Sequence, residues 1–199
     1  MASFAASSPV FVVTGTSGAG KGSIERILLD RMPDLELAVS ATTRERRPSE
    51  VDGKHYWFLP ADEFDRKLAE KEFLEYVTFP WGQRSGTLRS EIDRIRAAGR
   101  IPLLDLETDG AMYVQEKVSE ALTIFVTAPT FEELERRLRA RATESSGEIE
   151  ERLALARQQL ALSDRFDHVI VNDDLHRAAE EVLEIVRGRI AAAGTMSAS

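Results

Sequence analysis

Short unbroken apolar runs alternate along this chain with stretches whose apolar residues fall at helical spacing. Val10–Thr14, Leu35–Ser40, Ile101–Leu106, Leu122–Thr127 and His168–Val171 are rich in Val, Ile and Leu without strict polar alternation. Such runs suit strands buried on both faces. After the first of them, Ile24, Ile27, Leu28 and Met32 return once per turn, the period of an amphipathic helix. Thr130 and Glu133 form a capping box that opens a helix carrying Phe131, Leu134 and Leu138. Leu175, Ala179, Val182, Val186 and Ile190 line one face of the last helix. This rhythm predicts an α/β fold, a parallel sheet flanked by helices.

Two stretches break the rhythm. Within residues 42–87, His55–Leu59 and Phe73–Val77 read as short strands around a helix bearing Phe64 and Leu68, an inserted lobe. Ala142 to Gly147 is small and polar, and residues 139–152 are expected to form a mobile lid. The main domain is expected to span 8–190, with 191–199 a disordered tail.

Length and charge narrow the picture. A chain of 199 residues makes one domain with insertions. The net charge of −8 argues against a nucleic-acid polymer as partner. Yet Arg44, Arg46 and Arg47 form one basic cluster, and Arg136, Arg137, Arg139 and Arg141 another. Concentrated arginines on an acidic chain suggest local anion sites, although Arg136 and Arg139 read as a solvated helix face. Cysteine is absent, which excludes a disulfide framework and a thiolate nucleophile. Met1 to Pro9 has neither the basic nor the apolar segment of a signal peptide. No run approaches the roughly 20 apolar residues that span a bilayer, so the expectation is a cytoplasmic protein without a membrane partner.

Chemistry concentrates first at Gly15–Gly22, Gly-Thr-Ser-Gly-Ala-Gly-Lys-Gly, between a strand and a helix. The spacing is that of a phosphate-binding loop, whose backbone N–H groups and helix N-terminus face one anion. Lys21 supplies a point charge for the β- and γ-phosphates. The chain therefore reads as a binder of a nucleoside triphosphate. The usual hydroxyl after the lysine, a Mg²⁺ ligand, is replaced by Gly22, with Ser23 next.

A second anion site is encoded further on. Arg44, Arg47 and Tyr56 can converge on one phosphate monoester, two guanidinium forks and a phenol. Glu75 stands among Phe73 and Leu74, where a partly buried carboxylate needs donors. Guanine N1–H and N2–H₂ offer two in a plane, and a salt bridge to Arg44 or Arg47 is the alternative.

With these residues the chain resembles the guanylate kinases from Val10 to Ile190. The family's motifs are matched by Gly15–Lys21, Ser40…Thr43-Arg44…Arg47-Pro48…Glu50…Gly53…Tyr56 and Glu72-Phe73-Leu74-Glu75. Gly86-Thr87, Leu104-Asp105, Arg137…Arg141…Arg152 and Val171-Asn172-Asp173-Asp174 continue the series. The resemblance implies a P-loop kinase core with an inserted GMP-binding lobe and a lid, moving the γ-phosphate of ATP to GMP and to dGMP with Mg²⁺. It implies Lys21, Asp105, Arg141 and Arg152 as catalytic residues, Asp105 acting on the metal through water. ATP would lie on Gly15, Thr16, Ser17, Gly18, Ala19, Gly20, Lys21, Gly22, Ser23 and Arg137, its adenine near Asn172 and Asp173. GMP would meet Arg44, Arg47 and Tyr56 at its phosphate and Ser40, Glu75 and Thr87 at its base, with Ser85 and Glu107 also counted among the GMP-binding residues. A monomer or weak homodimer is expected.

The chain also departs from the family pattern. Ser85 stands where a tyrosine donates to the acceptor phosphate, after an extra residue within Phe79-Pro80-Trp81. Glu107 replaces an aspartate, and Ala140 and Ala142 flank Arg141 where glycines are usual. These changes leave two other readings open: a kinase for another phosphorylated small molecule, or a binding module without chemistry.

Overall fold

The computed structural model describes residues 8–79, 82–140 and 146–196. Five strands form one parallel sheet in the order β2 (Leu35–Leu37), β7 (Ile101–Asp105), β1 (Val10–Gly15), β8 (Ala121–Thr127), β9 (His168–Val171). The unbroken apolar run of β1 has a simple cause. Phe11 and Val13 face a core shared with α1 (Lys21–Arg31) and α7 (Leu175–Met196), while Val10 and Val12 face a second core with α3 (Arg89–Ala97) and α4 (Thr108–Lys117). Both faces of the strand are therefore dry.

The inserted lobe is a second sheet, ordered β4 (Trp57–Phe58), β3 (Ala41–Thr42), β6 (Arg84–Leu88), β5 (Phe73–Thr78). Helix α2 (Ala61–Ala69) closes its small core, in which Phe64 and Phe73 pack with ring centroids 4.3 Å apart. Arg84 lies over the Phe64 ring and pairs with Asp65, which fastens α2 to the sheet. Strand β5 has an irregularity between Phe73 and Glu75. Bulges re-aim side chains, and here Phe73, Leu74 and Glu75 are all buried in succession. Phe73 enters the lobe's core and Leu74 the main core.

The expected strands are all present, with differences. Leu35–Ser40 carries a strand only over Leu35–Leu37 and His55–Leu59 only over Trp57–Phe58, while β3 and β6 arise from Ala41–Thr42 and Arg84–Leu88, which the apolar pattern does not mark. The expectation of a disordered tail over 191–199 is met by a helix in its first part, α7 continuing to Met196 because Ala191–Ala193 are strong helix formers; residues 197–199 lie outside the described residues. The lid expectation falls partly on Arg141–Ser145, outside the described residues. On either side, α5 (Phe131–Ala140) and α6 (Ser146–Leu160) share a core of Leu134, Leu138, Ile149, Leu153 and Ala156. Thr130 Oγ1 accepts from the Glu133 N–H at 3.1 Å, the cap that the sequence predicts. No helix among the described residues is long and apolar enough to cross a membrane.

Candidate active site

Ligand clefts in open α/β sheets form at the carboxyl ends of the strands, where the strand order reverses. In this chain β1 is that strand, and its end runs into the glycine loop. Gly15 is the tightest point: its φ is +134°, and a Cβ there would meet the Val126 carbonyl oxygen at 2.0 Å. Thr16, Ser17, Gly18, Gly20, Lys21, Gly22, Ser23, Arg26 and Asp105 line a cleft of about 410 Å³. The Lys21 ammonium donates to the Gly15 carbonyl at 3.1 Å, which folds it over the loop.

Asp105 ends β7 beside β1, in register with Val13. Its carboxylate is open on the cleft side but otherwise ringed by protein, and this burial raises its pKa against the pull of Lys21. Glu107 precedes α4 and is raised in the same way, with Asp105 and Asp109 adding to the effect. Gln159 from α6 approaches it at 3.5 Å. Among the described residues, no three His, Cys, Asp or Glu side chains are grouped to hold a metal.

The loop is braced from behind by Asn172. Its Nδ2 donates to the Ala19 carbonyl at 2.7 Å, and its own carbonyl accepts from Arg137 Nη2 at 3.0 Å. At 5% exposure Asn172 is buried against the back of the loop. Asp173 is exposed and paired with Arg177 at 2.6 Å. Arg136 and Arg139 pair with Glu133 and Glu135 on the solvated side of α5, as expected.

In the lobe, Arg44 and Tyr56 meet: the guanidinium lies 5.3 Å from the ring centroid. Glu50 grips Arg44 through two bonds of 3.0 and 2.7 Å and accepts from the Arg47 N–H at 2.8 Å. Held by Arg44 first and then by the Arg47 N–H, the Glu50 carboxyl titrates at about 2. This overturns the alternative salt bridge from Glu75 to Arg44, since Arg44 is taken by Glu50. Tyr56 has its pKa raised by burial and then by Asp105. The charge of Asp105, beside the phosphate loop, thus reaches Tyr56 of the lobe.

Glu75 is 5% exposed and sits opposite Thr87 in the β5–β6 pair. Burial raises its pKa, and donors from the Thr87 hydroxyl and main chain counter the rise. Helix α4 presses on it from the core side. A Cβ on Gly110 would lie 2.6 Å from Glu75 Oε2. Gly110→Ala should therefore push the carboxylate aside and destabilise the fold by about 1–3 kcal/mol, which thermal unfolding will check.

Ser40 is half-buried beside β3, its carbonyl accepting from the Trp57 N–H at 2.9 Å. The Ser85 hydroxyl donates to the Ala41 carbonyl at 3.1 Å, within the lobe's sheet. Arg152 is exposed on α6, and Arg141 lies outside the described residues, as do Pro80 and Trp81.

Sequence reasoning missed Glu50 as the partner of Arg44, Gly110 as the wall behind Glu75, and Glu25. Glu25, on α1, is 5% exposed, and burial and then Asp105 push its carboxyl up to about 8 against Lys21. Only a helical-wheel reading that placed it beside Ile24 and Leu28 on the buried face could have flagged it.

Comparison with known proteins agrees with this geometry. A family profile described as guanylate kinase matches residues 7–189. A guanylate kinase of Rubrobacter xylanophilus is 45% identical over 185 residues, 93% of this chain and 96% of that protein. One from Prochlorococcus marinus is 44% identical over 182 residues, covering 92% and 96%. A crystal structure of guanylate kinase from Anaplasma phagocytophilum superposes with a TM-score of 0.73 at 26% identity, covering 91% of this chain and 85% of that one.

Proposed function

This chain belongs to the guanylate kinase family, and we propose from that premise how its cleft divides the work. The chain is an enzyme that transfers the γ-phosphate of ATP to GMP, giving ADP and GDP. The observation that carries the assignment of residues is the link between two anion sites: Tyr56 of the lobe feels the charge of Asp105 beside the phosphate loop.

The loop N–H groups and Lys21 bind the β- and γ-phosphates of ATP. Arg44, Arg47 and Tyr56 hold the phosphate of GMP, and Ser40, Glu75 and Thr87 receive the guanine edge. The acceptor is already an anionic phosphate oxygen, so no general base is needed; positioning and charge neutralisation suffice. Lys21, with Arg141 and Arg152 from the lid segment, supplies that neutralising charge. Arg137, tied to the Asn172 carbonyl, borders the ATP side. Deoxy-GMP, which keeps the same base and phosphate, is accepted as well.

Mg²⁺ suits the donor set, because a hard cation of this kind takes one or two carboxylates, substrate phosphates and water. Asp105 at the cleft and the buried oxygen of Glu25, unpartnered among the described residues, fit that requirement. When bound, the ion neutralises charge on the β- and γ-phosphates, and Asp105 would hold it through water.

A coupled ADP-release assay with ATP, Mg²⁺ and a panel of nucleoside monophosphates tests the reading; GMP and dGMP should be the substrates that turn over. Arg44→Ala should raise KM for GMP by about ten- to a hundredfold, the equivalent of one lost charged hydrogen bond, with kcat nearly unchanged. A fall in kcat with KM intact would move Arg44 out of acceptor binding.

A further inference from the structure

The residue after the phosphate-loop lysine has no side chain, and the molecule fills the space behind it in an unusual way. A Cβ at Gly22 would lie 4.0 Å from Glu25 Oε2, so this carboxylate reaches toward the point from which a hydroxyl at position 22 would project. The other oxygen, Oε1, is buried and has no hydrogen-bond partner among the described residues. A buried, unsatisfied carboxylate oxygen is costly, and few native positions retain one without a ligand in reach.

Ser23 does not fill the gap. Its Oγ accepts from Arg26 Nη2 at 3.2 Å, and Arg26 Nε also donates to the Gly22 carbonyl at 3.1 Å. A hydroxyl oxygen facing a guanidinium is poorly placed to serve a second cation. Glu25, by contrast, shares its surroundings with Asp105 and Lys21, whose charges both act on it. Asp105 lines the cleft. Two carboxylates therefore approach the phosphate loop, one from the end of β7 and one from the first turns of α1.

We propose that Glu25 is a cation-positioning residue of the ATP site, its carboxylate standing in from one turn along α1 for the hydroxyl absent at Gly22. With Asp105 it gives the hydrated divalent cation two anionic anchors, in keeping with an ion that retains most of its water. Glycine at 22 and glutamate at 25 then form one device, since a Cβ at 22 would already touch that carboxylate at 4.0 Å. The inference rests on the reading that Mg²⁺ accompanies ATP at this loop.

Binding of Mn²⁺ to the full-length enzyme, saturated with a nonhydrolysable ATP analogue and followed by electron paramagnetic resonance, separates the two ideas. Glu25→Gln should weaken Mn²⁺ by about ten- to a hundredfold, the usual effect of losing a group that holds a metal's ligands. Affinity for the analogue without metal should stay as in the wild type, a split that a merely structural role would not produce. Adding Gly22→Ser to that variant should recover much of the lost Mn²⁺ affinity. Glu25→Leu gives the same measurement should the glutamine variant fold poorly. Unchanged Mn²⁺ binding in the Glu25 variants, beside a tight wild-type site, would overturn this inference alone. Failure of Gly22→Ser to restore binding would overturn the exchange between the two positions. A wild-type complex that held Mn²⁺ no more tightly than the free analogue does would overturn the metal reading itself.

Discussion

AMP should be phosphorylated at least about 10⁴-fold less efficiently than GMP, and Glu75 should account for most of that gap. The carboxylate is 5% exposed, opposite Thr87 and against Gly110. Guanine offers it N1–H and N2–H₂, whereas adenine turns a lone pair at N1 toward it. The penalty for AMP is the repulsion of two acceptors in a site that admits little water, so it is larger than the loss of a surface hydrogen bond. Glu75→Leu should lower kcat/KM for GMP steeply and leave the small AMP activity where it was, collapsing the ratio. Glu75 also gives this selectivity a pH signature. Burial raises its pKa, and GMP needs the ionised form. KM for GMP should therefore rise as pH falls through a point above the ordinary carboxylate range, and Glu75→Gln should flatten that limb. Equal use of AMP and GMP by the wild type would falsify the assignment.

Lys21→Met and Arg141→Ala should both act on the rate, far more than on ATP binding. Charge moves onto the leaving oxygen and spreads over the equatorial oxygens only on the way to the transition state, so a cation aimed there speeds the step without tightening the ground state. An arginine in this role contributes about 10³–10⁵ in related phosphoryl-transfer enzymes, and Arg141→Ala should lower kcat within that range. Lys21 is held over the loop by its bond to the Gly15 carbonyl, and its removal should cost kcat about 10²–10³. Single-turnover measurements with saturating nucleotide isolate the chemical step from product release. A near-normal rate in Arg141→Ala would remove the lid arginine from the mechanism.

The phosphate loop could be read from the sequence because glycine and lysine at fixed spacing have few other uses between a buried strand and a helix. The main sheet was equally plain, since strands covered on both faces write themselves as unbroken apolar runs. The lobe was harder. Strand β6 is Arg84-Ser-Gly-Thr-Leu, too polar at its start to signal a strand, and it forms because β3 and β5 pair with it on both sides. The bulge that buries Phe73, Leu74 and Glu75 together has no local signature. Glu50 could be matched to the family's motif but not to its partner, because its clasp on Arg44 closes across a loop. Glu25 was invisible for a different reason: a carboxylate on a helix reads as solvent-facing until the packing of α1 shows otherwise.

The Asn172 brace has a consequence for how the molecule comes into being. The amide that fixes the Ala19 carbonyl of the loop lies 153 residues later in the chain. That amide is set in place only when β9 pairs with β8 and α7 packs against α1. A nascent chain long enough to have made its glycine loop therefore still lacks a finished nucleotide site. Among the described residues, the last strand in the chain thus helps to set the loop that follows the first.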